Sequence, residues 1–138
     1  MLKVSIHTIG RLKETWLSEA LQEYEKRLTG KMRIEWFLWK DDAELIKQVK
    51  LESSWIALDV EGELLSSEEL SKKLFDTGSR FTFVIGGAPG LPPALLSQAR
   101  WRLSLSPLTF THQMTRLILV EQLYRAHEIQ RNSPYHKA

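Results

Sequence analysis

Leu2, Val4 and Ile6 alternate with polar neighbours in the period of two that marks a half-buried strand, and Gly10 closes the run. The spacing then changes. Trp16, Leu17, Ala20, Leu21, Tyr24 and Leu28 recur at helical intervals, with Gly30 where a C-terminal stop belongs. Met32, Ile34, Trp36 and Leu38 alternate again as a second strand. Asp41 or Asp42 can cap the next helix by accepting a backbone N–H, and Leu45, Ile46 and Val49 give that helix its apolar face. Residues 54–59 (SWIALD) are a short apolar run suited to a central strand. Ser66 and Glu69 carry the capping-box signature ahead of Leu70, Leu74 and Phe75. Residues 81–85 (FTFVI) predict another buried strand, which runs directly into Gly86-Gly87-Ala88-Pro89-Gly90. Pro92 and Pro93 then open a short helix, since proline is tolerated in a first turn, and residues 101–105 are the last strand.

The longest helix is expected from about Gln113 to Arg131. Met114, Leu117, Ile118, Leu119, Val120, Leu123, Tyr124, Ala126 and Ile129 leave little of its circumference polar. A small subunit has difficulty covering such a helix alone, so the pattern predicts a homodimer. Strands alternating with helices indicate an α/β fold with a mainly parallel sheet, and residues 1–138 read as one domain without internal repeat or linker.

Composition narrows the function classes. A hydrophobic fraction of 43% with 26% charged residues excludes a disordered or fibrous chain. The absence of cysteine removes a disulfide framework, a thiolate metal site and a cysteine nucleophile together, and it fits a reducing cytoplasm. The start lacks the apolar region of a signal peptide, and no run approaches a membrane span, so a cytosolic protein without membrane partners is expected. The net charge of +2 conceals an asymmetry. Residues 1–50 carry ten Lys/Arg against eight Asp/Glu, residues 51–79 two against seven, and residues 80–138 seven against two. The basic last third is either a solvated face or the footprint of a polyanion.

The glycine cluster follows a buried strand, which places it at the carboxyl edge of the sheet, where open α/β sheets bind ligands. It lacks the Gly-Lys-Ser/Thr of a nucleotide-hydrolysing loop, and a tight turn needing positive φ is the alternative. Residues 105–110 (LSPLTF) form an uncharged loop, which is either buried or lines a pocket whose backbone amides could read an adenine edge. His7, His112, His127 and His136 have no spacing that would place two imidazoles on one metal, so no metal site is expected. Glu121 and Arg125 are set for an i,i+4 ion pair. The C-terminal segment from Asn132 combines Tyr135, His136 and Lys137, the ring-plus-charge chemistry of single-stranded RNA recognition; a frayed end is the alternative.

Taken together, FVIGGAPGL at 83–91, LSLSPLTFTHQMTRLILVEQLYRA at 103–126 and SPYHK at 133–137 resemble the RlmH (YbeA) family of SPOUT methyltransferases. The resemblance extends through the IGR turn at 9–11 and LDVEG at 58–62, so it covers essentially the whole chain. Pro89 and Thr111 depart from the residues usual at those points of the family pattern. The resemblance implies a SPOUT-type α/β fold with a C-terminal deep trefoil knot, a homodimer, and methylation of N3 of a pseudouridine in large-subunit (23S) ribosomal RNA by S-adenosylmethionine, within the assembled ribosome. It implies cofactor contacts at Leu58, Gly87, Leu105, Ser106, Pro107, Leu108, Thr109 and Phe110. For the chemistry, His112 or His136 are candidates to accept the N3 proton, Arg116 and Arg125 to hold phosphates or the tail, and Tyr135 to stack on a base. The reacting pocket would join the cofactor loop of one subunit to the Tyr135-His136 tail of the other. The rival reading is a non-catalytic α/β module that holds a nucleotide or ribosomal RNA.

Overall fold

The computed structural model describes residues 1–137. Five strands, β1 (Leu2–Ile9), β2 (Met32–Trp39), β3 (Ile56–Leu64), β4 (Arg80–Val84) and β5 (Trp101–Ser104), form one sheet in the order β2-β1-β4-β3-β5. Every pairing is parallel. Parallel neighbours require crossover connections. Helices α1 (Thr15–Arg27), α2 (Asp42–Val49), α3 (Ser67–Thr77) and α4 (Pro93–Leu96) supply them, and α5 (His112–Gln130) follows the last strand.

The faces divide by residue parity. Val4, Ile6, Phe81 and Phe83 point to one side, where Leu21 and Leu28 of α1, Leu70 and Leu74 of α3, and Leu119, Val120 and Leu123 of α5 complete a large core. Ala57 and Val84 point to the other side, under Leu45 and Val49 of α2 and Leu95 of α4. The caps are those the side chains dictate: Asp41 accepts the Glu44 N–H, Ser66 and Glu69 close a capping box, and Thr111 accepts the Met114 N–H.

Two features differ from expectation. Strand β3 continues past Asp59 to Leu64, because Leu58 and Glu63 both stand opposite Leu103 and the four residues between them bulge outward. Gly62 makes the bulge possible, since a Cβ there would lie 2.8 Å from the Arg102 carbonyl carbon and oxygen. The apolar circumference of α5 is also better covered than its pattern suggests. It lies against both α1 and α3, and among the described residues none of its large apolar side chains is fully exposed.

Candidate active site

The carboxyl ends of β3, β4 and β5 open onto a cleft of about 920 Å³. Leu58, Ile85, Leu103, Leu105 and Phe110 give it apolar walls, and residues 86–91 form one side. This glycine loop turns tightly, with the Gly90 N–H donating to the Gly87 carbonyl at 2.9 Å. Only Gly90 has the left-handed φ (+77°) that a simple turn would require. Gly86 and Gly87 are needed for closeness instead. A Cβ on Gly86 would sit 2.9 Å from the Gly90 carbonyl carbon, and one on Gly87 would press on Ile9 and Asp42 at 3.2 and 3.3 Å.

Of the residues expected at the cofactor, Leu58, Gly87, Leu105, Ser106, Leu108, Thr109 and Phe110 line this one cleft. Pro107 belongs to the same loop but does not line it. The loop is shaped by its serines: Ser104 Oγ donates to the Ser106 carbonyl at 3.0 Å, and Ser106 Oγ accepts the Leu108 N–H at 3.0 Å. The cleft also takes in Lys13, Glu14, Trp16, Asp59 and Glu61, which sequence reasoning did not single out. A signal existed for the first three, because the connection after β1 must leave from the same carboxyl edge as the glycine loop. Trp16, read as a core position of α1, is 54% exposed at the cleft while its neighbour Leu17 is buried.

His112 lines the cleft as the first residue of α5. Burial, with the Arg116 and Lys13 cations nearby, pushes its imidazole below the ordinary value, which leaves the ring neutral near pH 7. Arg116 lies one turn further on and is completely buried. Its Nη2 donates to the Ile9 and Gly10 carbonyls, both at 2.7 Å, while Nε and Nη1 have no partner among the described residues. Arg116 therefore ties the end of β1 to the start of α5 and presents no donor at the surface. Thr8 Oγ1, His112 Nδ1 and Gln113 Oε1 are the other buried side-chain atoms without a partner among the described residues, so all of them gather where β1 ends and α5 begins.

Residues 132–137 of the tail lie elsewhere. The chain reverses at Asn132, in left-handed backbone (φ +57°), and Tyr135 packs edge-on against Tyr124, 4.7 Å between ring centroids. The Tyr135 hydroxyl donates to Glu121 at 2.8 Å, and the Arg125 guanidinium lies 4.9 Å from the Tyr135 ring centroid. Arg125 Nη1 donates to His136 Nδ1 at 3.1 Å, and His136 Nε2 meets Glu68 at 2.7 Å. Because arginine has no acceptor, Nδ1 is the accepting nitrogen and Nε2 carries the proton. Thirteen residue steps along the helix separate His112 from Arg125, about 20 Å at 1.5 Å per residue. Within one chain, cleft and tail do not meet.

The fold is shared with methyl-transferring proteins. A solved structure described as a methylase-family protein, from Haemophilus influenzae Rd KW20, aligns over 99% of this chain and 70% of its own, at a TM-score of 0.59 and 12% identity. TrmJ of Zymomonas mobilis ZM4 aligns over 91% of this chain and 69% of its own, at 0.56 and 9%. At such identities the likeness concerns the fold alone. A family model described as "Predicted SPOUT methyltransferase" matches residues 2–136. "Ribosomal RNA large subunit methyltransferase H" of Protochlamydia amoebophila is 51% identical over 141 residues, spanning 99% of this chain and 100% of that protein. The protein of the same name from Desulforamulus reducens is 38% identical over 160 residues, with the same coverage of both. The chain belongs to the SPOUT methyltransferase family, among these large-subunit methyltransferases H.

Proposed function

We propose that this protein transfers a methyl group from S-adenosylmethionine to N3 of a pseudouridine in large-subunit (23S) ribosomal RNA, working in the cytoplasm as a homodimer. The cleft is the observation that carries the reading. Two loops that the sequence marks as unusual, one rich in glycine and one without charge, converge on a concave, largely apolar site at the carboxyl edge of a parallel sheet. The residues present fit the cofactor. The cleft's volume suits a nucleoside-sized ligand, close-packed glycines leave backbone within reach of a flat base, and Glu14, Asp59 and Glu61 bring to the lining negative charge that would suit a cationic cofactor.

When bound, S-adenosylmethionine supplies an activated methyl group. The chain's own work is alignment and proton handling. The walls fix the angle of approach to N3, and such positioning supplies up to ~7 to 11 kcal/mol in ideal cases. N3 must lose a proton as its bond to carbon forms. His112, neutral and on the cleft wall, is placed to accept it; both ring nitrogens of His136 are already engaged, which favours His136 as a positioning group.

The tail supports the dimer. Tyr135 and His136 bring stacking and hydrogen-bonding groups to the far end of α5, so they serve the cleft of a second copy rather than their own. The C-terminal trefoil knot implied by the family resemblance belongs to the same proposal. Incubating ribosomes that lack the modification with the protein and radiolabelled S-adenosylmethionine, followed by mass spectrometry of the ribosomal RNA, tests the function. Label on a pseudouridine of the large-subunit RNA is expected. Cofactor binding without transfer to any RNA would leave the chain a non-catalytic binding module.

A further inference from the structure

The strand register places Arg33, Lys3 and Arg80 side by side on β2, β1 and β4. Residues paired across a parallel ladder point to the same face. Val4 faces the large core with Ile34 and Phe81, so Lys3 and its two partners face the other way, toward the side that α2 covers. The cover is incomplete. Two rows further along, His7 and Val84 are buried, whereas Arg33, Lys3 and Arg80 are all exposed. Neighbouring strands lie about 4.8 Å apart, so the three cations span about 10 Å. Among the described residues none of the three enters an ion pair.

Like charges directly opposite on neighbouring strands repel, so this row is maintained against its own electrostatics. In register with it the next row holds Glu35, Ser5 and Thr82. A single carboxylate there leaves the two rows net positive, and the hydroxyls can donate to phosphate oxygens. The row lies at the amino ends of the strands, whereas the cleft opens at their carboxyl ends. Six residue steps along β1 separate Lys3 from Ile9, about 20 Å. A lone nucleotide in the cleft cannot span that distance, but a folded RNA can.

We infer that Arg33, Lys3 and Arg80 form a second RNA-contact surface, which holds backbone phosphates of folded ribosomal RNA beyond the nucleotide in the cleft. The inference rests on the reading of the cleft as a ribosomal RNA methylation site. Because α5 lies on the opposite face of the sheet, a dimer paired through it leaves the row open in both copies. Each phosphate contact adds about 0.7 to 0.9 to the slope of log affinity against log salt, so the row contributes about 2 to 3.

The test compares the wild type with a K3Q/R33Q/R80Q variant on ribosomal subunits over a series of salt concentrations. The variant should show a slope shallower by about 2 to 3 and a Michaelis constant for subunits at least about tenfold higher near physiological salt. Cofactor affinity and melting temperature should hold. The K3R/R33K/R80K variant should restore the slope. An unaltered slope on subunits in a folded K3Q/R33Q/R80Q variant would overturn the second surface. A wild type that transfers no methyl group to ribosomal RNA would overturn the reading of the cleft itself, and the surface with it.

Discussion

The two ends of α5 are built in opposite ways. At the amino end, Arg116, His112 and Gln113, with Thr8 near the end of β1, leave five buried polar atoms unpaired among the described residues. At the carboxyl end the polar groups are joined in a continuous network through Glu121, Arg125, Tyr135, His136 and Glu68, and again through Glu128, Arg131 and Ser133. A buried group without a partner costs roughly 1 to 3 kcal/mol, so the amino end carries a penalty that the carboxyl end avoids. The difference separates two tasks. On the proposed function, a cleft that receives a ligand and a proton keeps hydrogen-bonding capacity in reserve, whereas a tail offered to a second subunit is locked into one shape beforehand.

Breaking the carboxyl end should have the largest effect. Deleting Tyr135 to Ala138 is expected to abolish methylation while cofactor affinity, measured by calorimetry, stays within a few-fold. Full activity in the truncated protein would make the tail a mere terminus. Next comes the cleft wall. Gly86→Val forces a side chain into the Gly90 backbone 2.9 Å away; cofactor affinity should fall at least about tenfold, equivalent to about 1.4 kcal/mol, with the tail network intact by tyrosine and histidine NMR signals.

Acid should separate the ends. The Arg131 hydrogen bonds, helped by His127 and Ser133, outweigh burial and hold the Glu128 carboxyl down to about 2, against 4.5 ordinarily. A depressed carboxyl contributes its full stability above the ordinary value and loses it as pH falls from there towards 2. Between those limits the wild type should lose stability to denaturant more steeply than Glu128→Gln, which lacks the titrating group. Parallel curves would remove Glu128 from the account. The smallest expected change is Tyr135→Phe, which removes the donation to Glu121. A loss of ~1.5 to 3 kcal/mol is the range for bonds to charged groups, and partial exposure of the pair places the expectation at or below its lower end.

Local signals made most of the scaffold legible. Alternation at Leu2 to Ile6, the capping box at Ser66 and Glu69, and the prolines that open α4 each act within a few residues, and each stands where expected. What could not be read depends on partners distant in sequence. The strand expected at 54–59 extends to Leu64 only once Glu63 and Leu64 are set against Leu103 and Ser104. Arg116 is expected from the sequence to hold phosphates or the tail, and its burial instead follows from carbonyls more than a hundred residues earlier. The uncharged loop at 105–110 was open to two readings, burial or a pocket; the cleft decides between them because Leu108 and Thr109 are exposed yet line it. The row of Arg33, Lys3 and Arg80 exists only once the register is known.

Subunit complementation tests the central claim, that the cleft of one copy works with the tail of the other. Gly86→Val disables a cleft and deletion of Tyr135 to Ala138 disables a tail, so each variant alone should be inactive. Coexpressed in equal amounts, half of the dimers would be mixed, and each mixed dimer would hold one intact site, an undamaged cleft facing an undamaged tail. With a two-fold symmetric interface the predicted activity is about one quarter of the wild-type value. A coexpressed mixture no more active than either variant alone, with mixed dimers confirmed by mass spectrometry, would contradict the shared site.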